Sequence, residues 1–304
     1  MKFEVTILGS NSATPAYGRN QTSQIININD KLYLVDCGEG TQLQLLRYGI
    51  KGSRIKGIFI SHLHGDHYLG LVGLISSMHL NGRTEELIIF GPPPLKKIID
   101  IHLKYSDTRL RYPLIFSGTR HTEAEEIYRS ESFTVSSFPL NHRVPCTGFM
   151  FREVPPLPKL NMDEVTRLNI PTELLSGIKH GDDYIDAKGE RHPCSVLTHP
   201  PRAARSYAYC SDTLATGSYH PFIKGADLLY HEATFLHEML ERATETYHTT
   251  ALQAGEIAKL CEVKKMLIGH FSARYRVLDE LLTESQSVFG NTELAIEGRC
   301  FSVD

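Results

Sequence analysis

The segment Ile58-Phe59-Ile60-Ser61-His62-Leu63-His64-Gly65-Asp66-His67 constrains this chain more than any other. An apolar run of strand character, Ile55–Ile60, gives way within a few residues to three histidines and one aspartate. His62 and His64, two apart, face the same way if the backbone stays extended. Gly65 permits a tight turn, and Asp66 and His67 lead into a helical pattern over Tyr68–Leu80. Imidazoles and a carboxylate are donors suited to zinc and similar divalent ions. One histidine at a strand end is usually an ordinary polar residue. Four such groups together, with no cation, would concentrate polar atoms that must be satisfied. The segment therefore predicts a metal site at a strand end.

Its surroundings predict a layered α/β protein. Short runs rich in Val and Ile read as strands at Phe3–Leu8, Ser23–Ile28, Lys31–Val35, Leu87–Phe90, Phe133–Phe138, Tyr207–Cys210, Asp227–Tyr230 and Lys265–Ile268. Asn29-Asp30 separates two of them as a hairpin turn. Helical spacing marks Glu39–Tyr48, Pro93–Tyr105, Thr250–Cys261 and Val277–Phe289, with Leu43, Leu45 and Leu46 as the apolar side of the first. Strands alternating with helices imply sheets covered by helices, and the early hairpin shows they are not purely parallel. From Arg152 to about Arg205 the chain turns Pro-rich and polar. With one short helix at Met162–Leu168 and little else able to form a core, it reads as an insertion projecting from the body.

Composition narrows the function. With 32 Lys+Arg against 35 Asp+Glu, a globally basic nucleic-acid binder is excluded, though a local patch is not. Lys96, Lys97, Lys104, Arg109 and Arg111 form one such cluster, read as a solvated helix face or a phosphate contact. Six scattered cysteines without a C-x-x-C pair read as free thiols. The N-terminus has no signal-peptide core and no run of about 18 apolar residues occurs, so a soluble cytoplasmic protein without a membrane span is expected.

His62-Leu63-His64-Gly65-Asp66-His67 resembles the H-x-H-x-D-H signature of the metallo-β-lactamase superfamily. The resemblance implies an α/β fold of four-layer αββα sandwich type, with metals at one edge. Its later ligands are matched by His142 in Pro139-Leu140-Asn141-His142, Asp212 in Cys210-Ser211-Asp212, and His270 in Ile268-Gly269-His270. By that resemblance two zinc ions bind per subunit. One is held by His62, His64 and His142, the other by Asp66, His67 and His270, with Asp212 bridging them. Such pairs, about 3.5–4 Å apart, suit phosphate-ester hydrolysis.

Within the superfamily the chain resembles the ribonuclease Z family of tRNA 3′-processing endonucleases over nearly its whole length. His231-Glu232-Ala233-Thr234 reproduces the H-E-A-T segment, His248-Thr249-Thr250 the H-S/T-T segment, and Pro15-Ala16-Tyr17-Gly18-Arg19-Asn20 the P-x-x-x-R-N loop. The opening Leu8-Gly9-Ser10 and the turn Val35-Asp36-Cys37-Gly38-Glu39-Gly40-Thr41-Gln42 also match. The resemblance implies precursor tRNA as substrate, cut after the discriminator base to leave a 3′-hydroxyl on the tRNA and a 5′-phosphate on the trailer. Asp66 would accept a proton, His248 would protonate the leaving oxygen, and Glu232 would orient His248. Arg19 and Asn20 would hold the RNA end, and His231 would be structural. Residues 1–304 would form one catalytic domain. Residues 152–205, with Asn169-Ile170-Pro171-Thr172-Glu173 near the tip but without the family's Gly-Pro pair, would be an inserted arm that grips tRNA. The insertion carries eight Lys+Arg and eight Asp+Glu, so it cannot act as a simple cationic clamp. The family is commonly homodimeric. Competing readings are a dizinc small-molecule hydrolase (phosphodiesterase, arylsulfatase or lactonase) and a non-catalytic RNA-binding relative.

Overall fold

Asn29 and Asp30 both take a left-handed backbone, φ 51° and 64°, in the two-residue turn that joins Ser23–Ile28 to Lys31–Cys37. The computed structural model, which describes residues 2–304, builds a seven-stranded sheet around this hairpin. Its order is Cys300–Ser302, Phe3–Gly9, Ser23–Ile28, Lys31–Cys37, Ile55–Phe59, Leu87–Gly91 and Leu114–Gly118. A second seven-stranded sheet runs Thr292–Leu294, Lys265–Gly269, Leu228–Glu232, Ser206–Cys210, Cys146–Glu153, Phe133–Leu140 and Glu125–Arg129.

The sheets meet through aromatic side chains. The Phe59 ring lies 5.6 Å from Phe149 and 5.2 Å from Phe151, and Tyr209 donates its hydroxyl across to Asp36 at 2.6 Å. Helices cover the outer faces. Leu71–Leu80 buries Leu71, Leu74, Ile75 and Met78 in one core with Leu34, Ile58 and Ile89. Ala251–Leu260, started by a capping box between Thr250 and Gln253, buries Ala254, Ile257 and Ala258 in another with Leu229, Met266 and Ile268. The layers are therefore helix, sheet, sheet, helix.

Five strands of the two sheets escape the sequence pattern, two of them, Thr292–Leu294 and Cys300–Ser302, only three residues long. Cys146–Glu153 is buried on both faces, so it shows no alternation, while Leu114–Gly118 and Glu125–Arg129 are half-exposed and bury too little apolar surface to stand out. The first helix, Thr41–Arg47, turns a different side inward from the one expected. Leu43 and Leu46 are 71% and 78% exposed, whereas Thr41, Gln44 and Leu45 are buried. Gln44 wins the inner position by donating to Leu8 O and Glu297 Oε2, each at 2.8 Å. The helix expected over Tyr68–Leu80 is two, Gly65–Tyr68 and Leu71–Leu80. Gly70 sits between them, where a Cβ would lie 2.2 Å from Gly38 O.

Ser130–Phe133 and Arg152–Ala204 form a compact unit of their own. Contrary to the expectation of little core, Val165, Ile170, Ile178 and Leu197 are buried together, with Leu160, Leu168, Leu175 and Tyr184 packed on them. The helix Met162–Arg167 is capped by the Asn161 side chain, and Tyr184–Ile185 pairs antiparallel with Arg191–His192.

Candidate metal centre

The strand Ile55–Phe59 ends two residues before Ser61, and the next turn projects the histidines. His62 Nε2 lies 3.1 Å from His64 Nδ1, and His142 Nε2 lies 3.2 Å from the same atom. A few ångströms away His67 Nε2 and His270 Nε2 are 3.3 Å apart. Asp212 stands between the two groups. Its Oδ1 is 3.2 Å from His67 Nε2 and 3.1 Å from His270 Nε2, while its Oδ2 is 3.5 Å from His62 Nε2 and 3.7 Å from His142 Nε2. Asp66 Oδ2 lies 3.5 Å from both His67 Nε2 and His270 Nε2. All seven sequence-derived donors thus converge, grouped as His62, His64, His142, Asp212 and as Asp66, His67, His270.

Hydrogen bonds on the far side of the rings fix which nitrogen each presents. His142 Nδ1 lies 3.1 Å from Tyr247 O, a carbonyl that can only accept, so Nδ1 carries the proton and Nε2 is bare. Thr234 Oγ1 donates to Glu232 Oε2 at 2.5 Å and therefore accepts from His270 Nδ1 at 3.0 Å. Ser61 Oγ likewise donates to Asp36 Oδ2 at 2.8 Å and accepts from His62 Nδ1 at 3.0 Å. His67 Nδ1 donates to Asp36 Oδ2 at 2.7 Å. Bare nitrogens of His62, His142 and His270 therefore face inward, where no protein donor can satisfy all of them at once. His64 is the exception, turning Nδ1 inward. Burial lowers the pKa of His62 to about 4 and pushes those of His64 and His142 down. Neutral imidazole is the form that binds a metal. His67 differs: burial opposes its charge, but Asp212, Asp66 and Asp36 outweigh it and hold the ring protonated. A divalent cation meets the same demand from those carboxylates. The donor set therefore fits metal ions.

Asp36 is the organising residue that sequence reasoning quoted without a role. Fully buried, it also accepts from Ser61 N at 2.7 Å and from Tyr209 Oη. Its polar placement near the end of an apolar strand was the only available signal. Backbone strain gathers here as well. Ala13, Asp36, Tyr247 and His270 all have φ between 53° and 60°, a conformation that costs non-glycine residues energy and persists where surrounding bonds enforce it. Ala13 N donates to Asp66 Oδ2 at 2.8 Å. His270 follows Gly269, where any Cβ would lie 2.3 Å from Tyr230 Oη.

Glu232 and His248 meet at the margin of the donor cluster. Glu232 Oε1 accepts from Thr213 N at 2.7 Å and from His248 Nδ1 at 3.0 Å. Burial disfavours the proton on His248, but Glu232, reinforced by Asp212 and Asp66, outweighs it and lifts its pKa to about 9. His231 is fully employed by Tyr219 Oη at 2.8 Å and Glu232 O at 2.7 Å, as a structural residue would be. Arg19 and Asn20 are occupied elsewhere. Arg19 Nε donates to Asn11 Oδ1 at 2.8 Å and its Nη atoms to Tyr275 O and Arg276 O, while Asn20 Nδ2 donates to Glu297 Oε2 at 2.8 Å. These bonds fasten their loop to the protein. Of the remaining histidines, His192 lies with Asp186 and Glu190 in the insertion's hairpin. Asp186 Oδ1 there accepts from the backbone N–H groups of Lys188 and Glu190.

A cavity of about 410 Å³ opens over the donors. Ser12, Ala13, Gln21, Leu69, Arg143 and Thr246 contribute to its walls alongside His64, Asp66, His142, Asp212 and His248.

Ribonuclease Z of Bacteroides fragilis is 45% identical over 302 residues, covering 99% of each chain. That of Cytophaga hutchinsonii is 46% identical over 308 residues, covering 100% of this chain and 97% of its own. The chain belongs to the ribonuclease Z family. Human tRNase Z, short form, has the same architecture at 26% identity, with a TM-score of 0.72 and 99% of both chains covered. The metallo-β-lactamase fold protein YhfI of Bacillus subtilis, 20% identical with a TM-score of 0.69 and 99% of both chains covered, bears out the expected αββα fold. A family model described as anti-Pycsar protein Apyc1 matches residues 3–153, the part of this ribonuclease Z family member that carries His62 to His142. No helix among the described residues is long and apolar enough to cross a membrane.

Proposed function

We propose that the protein is a metal-dependent endoribonuclease that removes the 3′ trailer from precursor tRNA. The observation that carries this reading is Asp212, with one oxygen toward each of two histidine groups and the Glu232–His248 pair at their margin. His62, His64 and His142 would hold one ion, Asp66, His67 and His270 the other, and Asp212 both. When bound, two divalent cations, zinc by the nature of the donors, activate water and neutralise phosphoryl charge.

The protein's own groups do the rest. Asp66, with Oδ2 steadied by Ala13 N–H, takes the proton of the attacking water. Oxygen adds to phosphorus in line as the bond to the discriminator O3′ breaks. His248, held through Nδ1 by Glu232, delivers a proton from Nε2 to that oxygen. The tRNA leaves with a 3′-hydroxyl and the trailer with a 5′-phosphate. Residues 152–205 serve as an arm for the tRNA body, and with eight charges of each sign they act by shape and main-chain donors. The active form is a cytoplasmic homodimer. Zinc-loaded protein incubated with a precursor tRNA is expected to cut it once, after the discriminator base, while small phosphodiesters turn over far more slowly. No cut, or a cut elsewhere, overturns the reading.

A further inference from the structure

We propose that Arg143 is a specificity residue that binds the phosphate next to the scissile one, so that the site recognises a polynucleotide and not an isolated phosphodiester. The inference rests on the proposed endoribonuclease activity. Arg143 directly follows His142 and, among the described residues, is the only Lys or Arg lining the cavity over the donors. It is exposed, and its Nη2 lies 3.4 Å from His64 Nε2, the nitrogen that faces away from the donor cluster. His64 turns Nδ1 toward His62 and His142. Arg143 Nη2 donates to Nε2 of the same ring, which holds the guanidinium at the cavity wall and leaves its other N–H groups to meet a phosphate oxygen. The guanidinium is a full imidazole ring outside the donor cluster. It is thus too far out to act as a ligand and is placed for the neighbouring phosphate of a chain whose scissile phosphate sits on the cluster. Of the cavity's other charged groups, Asp66 and Asp212 belong to the centre itself and His248 is held by Glu232. Arg143 is therefore the lining residue best able to register further anionic charge, and guanidinium suits it by offering forked donors.

The test uses the full-length protein and the variants Arg143→Ala and Arg143→Lys. In chelator-treated protein, Arg143→Ala should bind precursor tRNA more weakly, and the log–log slope of affinity on salt should shrink by about one. In zinc-loaded protein the ratio of kcat/KM on precursor tRNA to that on a small phosphodiester should fall about tenfold to hundredfold, as expected for a lost charge-assisted hydrogen bond. Arg143→Lys should recover part of it. A neutral methylphosphonate at the phosphate on one side of the cut, 5′ or 3′, should cost the native protein as much as Arg143→Ala does, and the two losses should not add. An equal loss on both substrates, an unchanged salt slope, or additive losses at both flanking phosphates overturns the assignment. If the native protein cuts no precursor tRNA, the reading of function fails with it; native cutting that Arg143→Ala does not alter sinks this inference alone.

Discussion

The rim that carries His62 to His270 and the insertion at 152–204 handle charge in opposite ways. At the rim Asp36, Asp66, Asp212 and Glu232 are each at most 9% exposed, and each meets several partners. Three carboxylates converge on one ring, His67, and four residues accept left-handed backbones. In the insertion Asp183 and Glu164 form their pairs, with Arg191 and Arg167, where the arginines remain in water, and a core of four buried side chains holds the unit together. Buried polar networks are strongly determined because any member left unpaired is costly, whereas exposed ion pairs contribute little. The rim is therefore fixed by its buried polar network, and the insertion by its small apolar core.

The largest expected effect lies at the shared donor. Asp212→Ala should cut turnover of precursor tRNA by at least about 10³-fold and lower the bound metal per chain, measured by elemental analysis. His248→Ala should cost about 10²–10⁴-fold in kcat while metal content stays unchanged. The pH profile separates the two. His248 has its pKa raised to about 9, so its proton is retained below that value and lost as pH rises through it. Bound cations move that loss to lower pH. The alkaline fall in kcat should therefore disappear in His248→Ala. Asp36→Asn keeps the shape but weakens the hold on His67 Nδ1, and should cost about 10–100-fold in metal affinity or activity.

Much of the rim was legible because its chemistry is written locally. Six consecutive residues, His62 to His67, supply four donors, and His231-Glu232-Ala233-Thr234 places Glu232 and Thr234 two apart on one face of a strand end. Asp212 and His270 could be singled out only through resemblance, because nothing local joins residues so distant in sequence. Asp36, Tyr247 and Arg143 stayed silent for a different reason. Their contacts are made only in three dimensions, Asp36 through Ser61, His67 and Tyr209 and Tyr247 through a main-chain carbonyl that any residue has. The insertion was misjudged because four apolar residues spread from Val165 to Leu197 have no common period. Helix Thr41–Arg47 was misread because a glutamine, held by two hydrogen bonds, took the inner face.

The smallest effects should come from the insertion. Ile178→Ala removes part of its core and should destabilise that unit by about 2–5 kcal/mol, read as faster amide hydrogen exchange over 152–204 with the rest of the chain unchanged. It should raise KM for precursor tRNA several-fold and leave small-diester turnover intact. If the rim lost metal in this variant, the division between a rim fixed by its polar network and an insertion fixed by its own core would be wrong.

The most direct test is anomalous diffraction from zinc-loaded crystals, collected at the metal edge. The account predicts two peaks, one within bonding distance of His62, His64 and His142 and one of Asp66, His67 and His270, with one Asp212 oxygen on each. A single peak, or two peaks with Asp212 bound to neither, would contradict it.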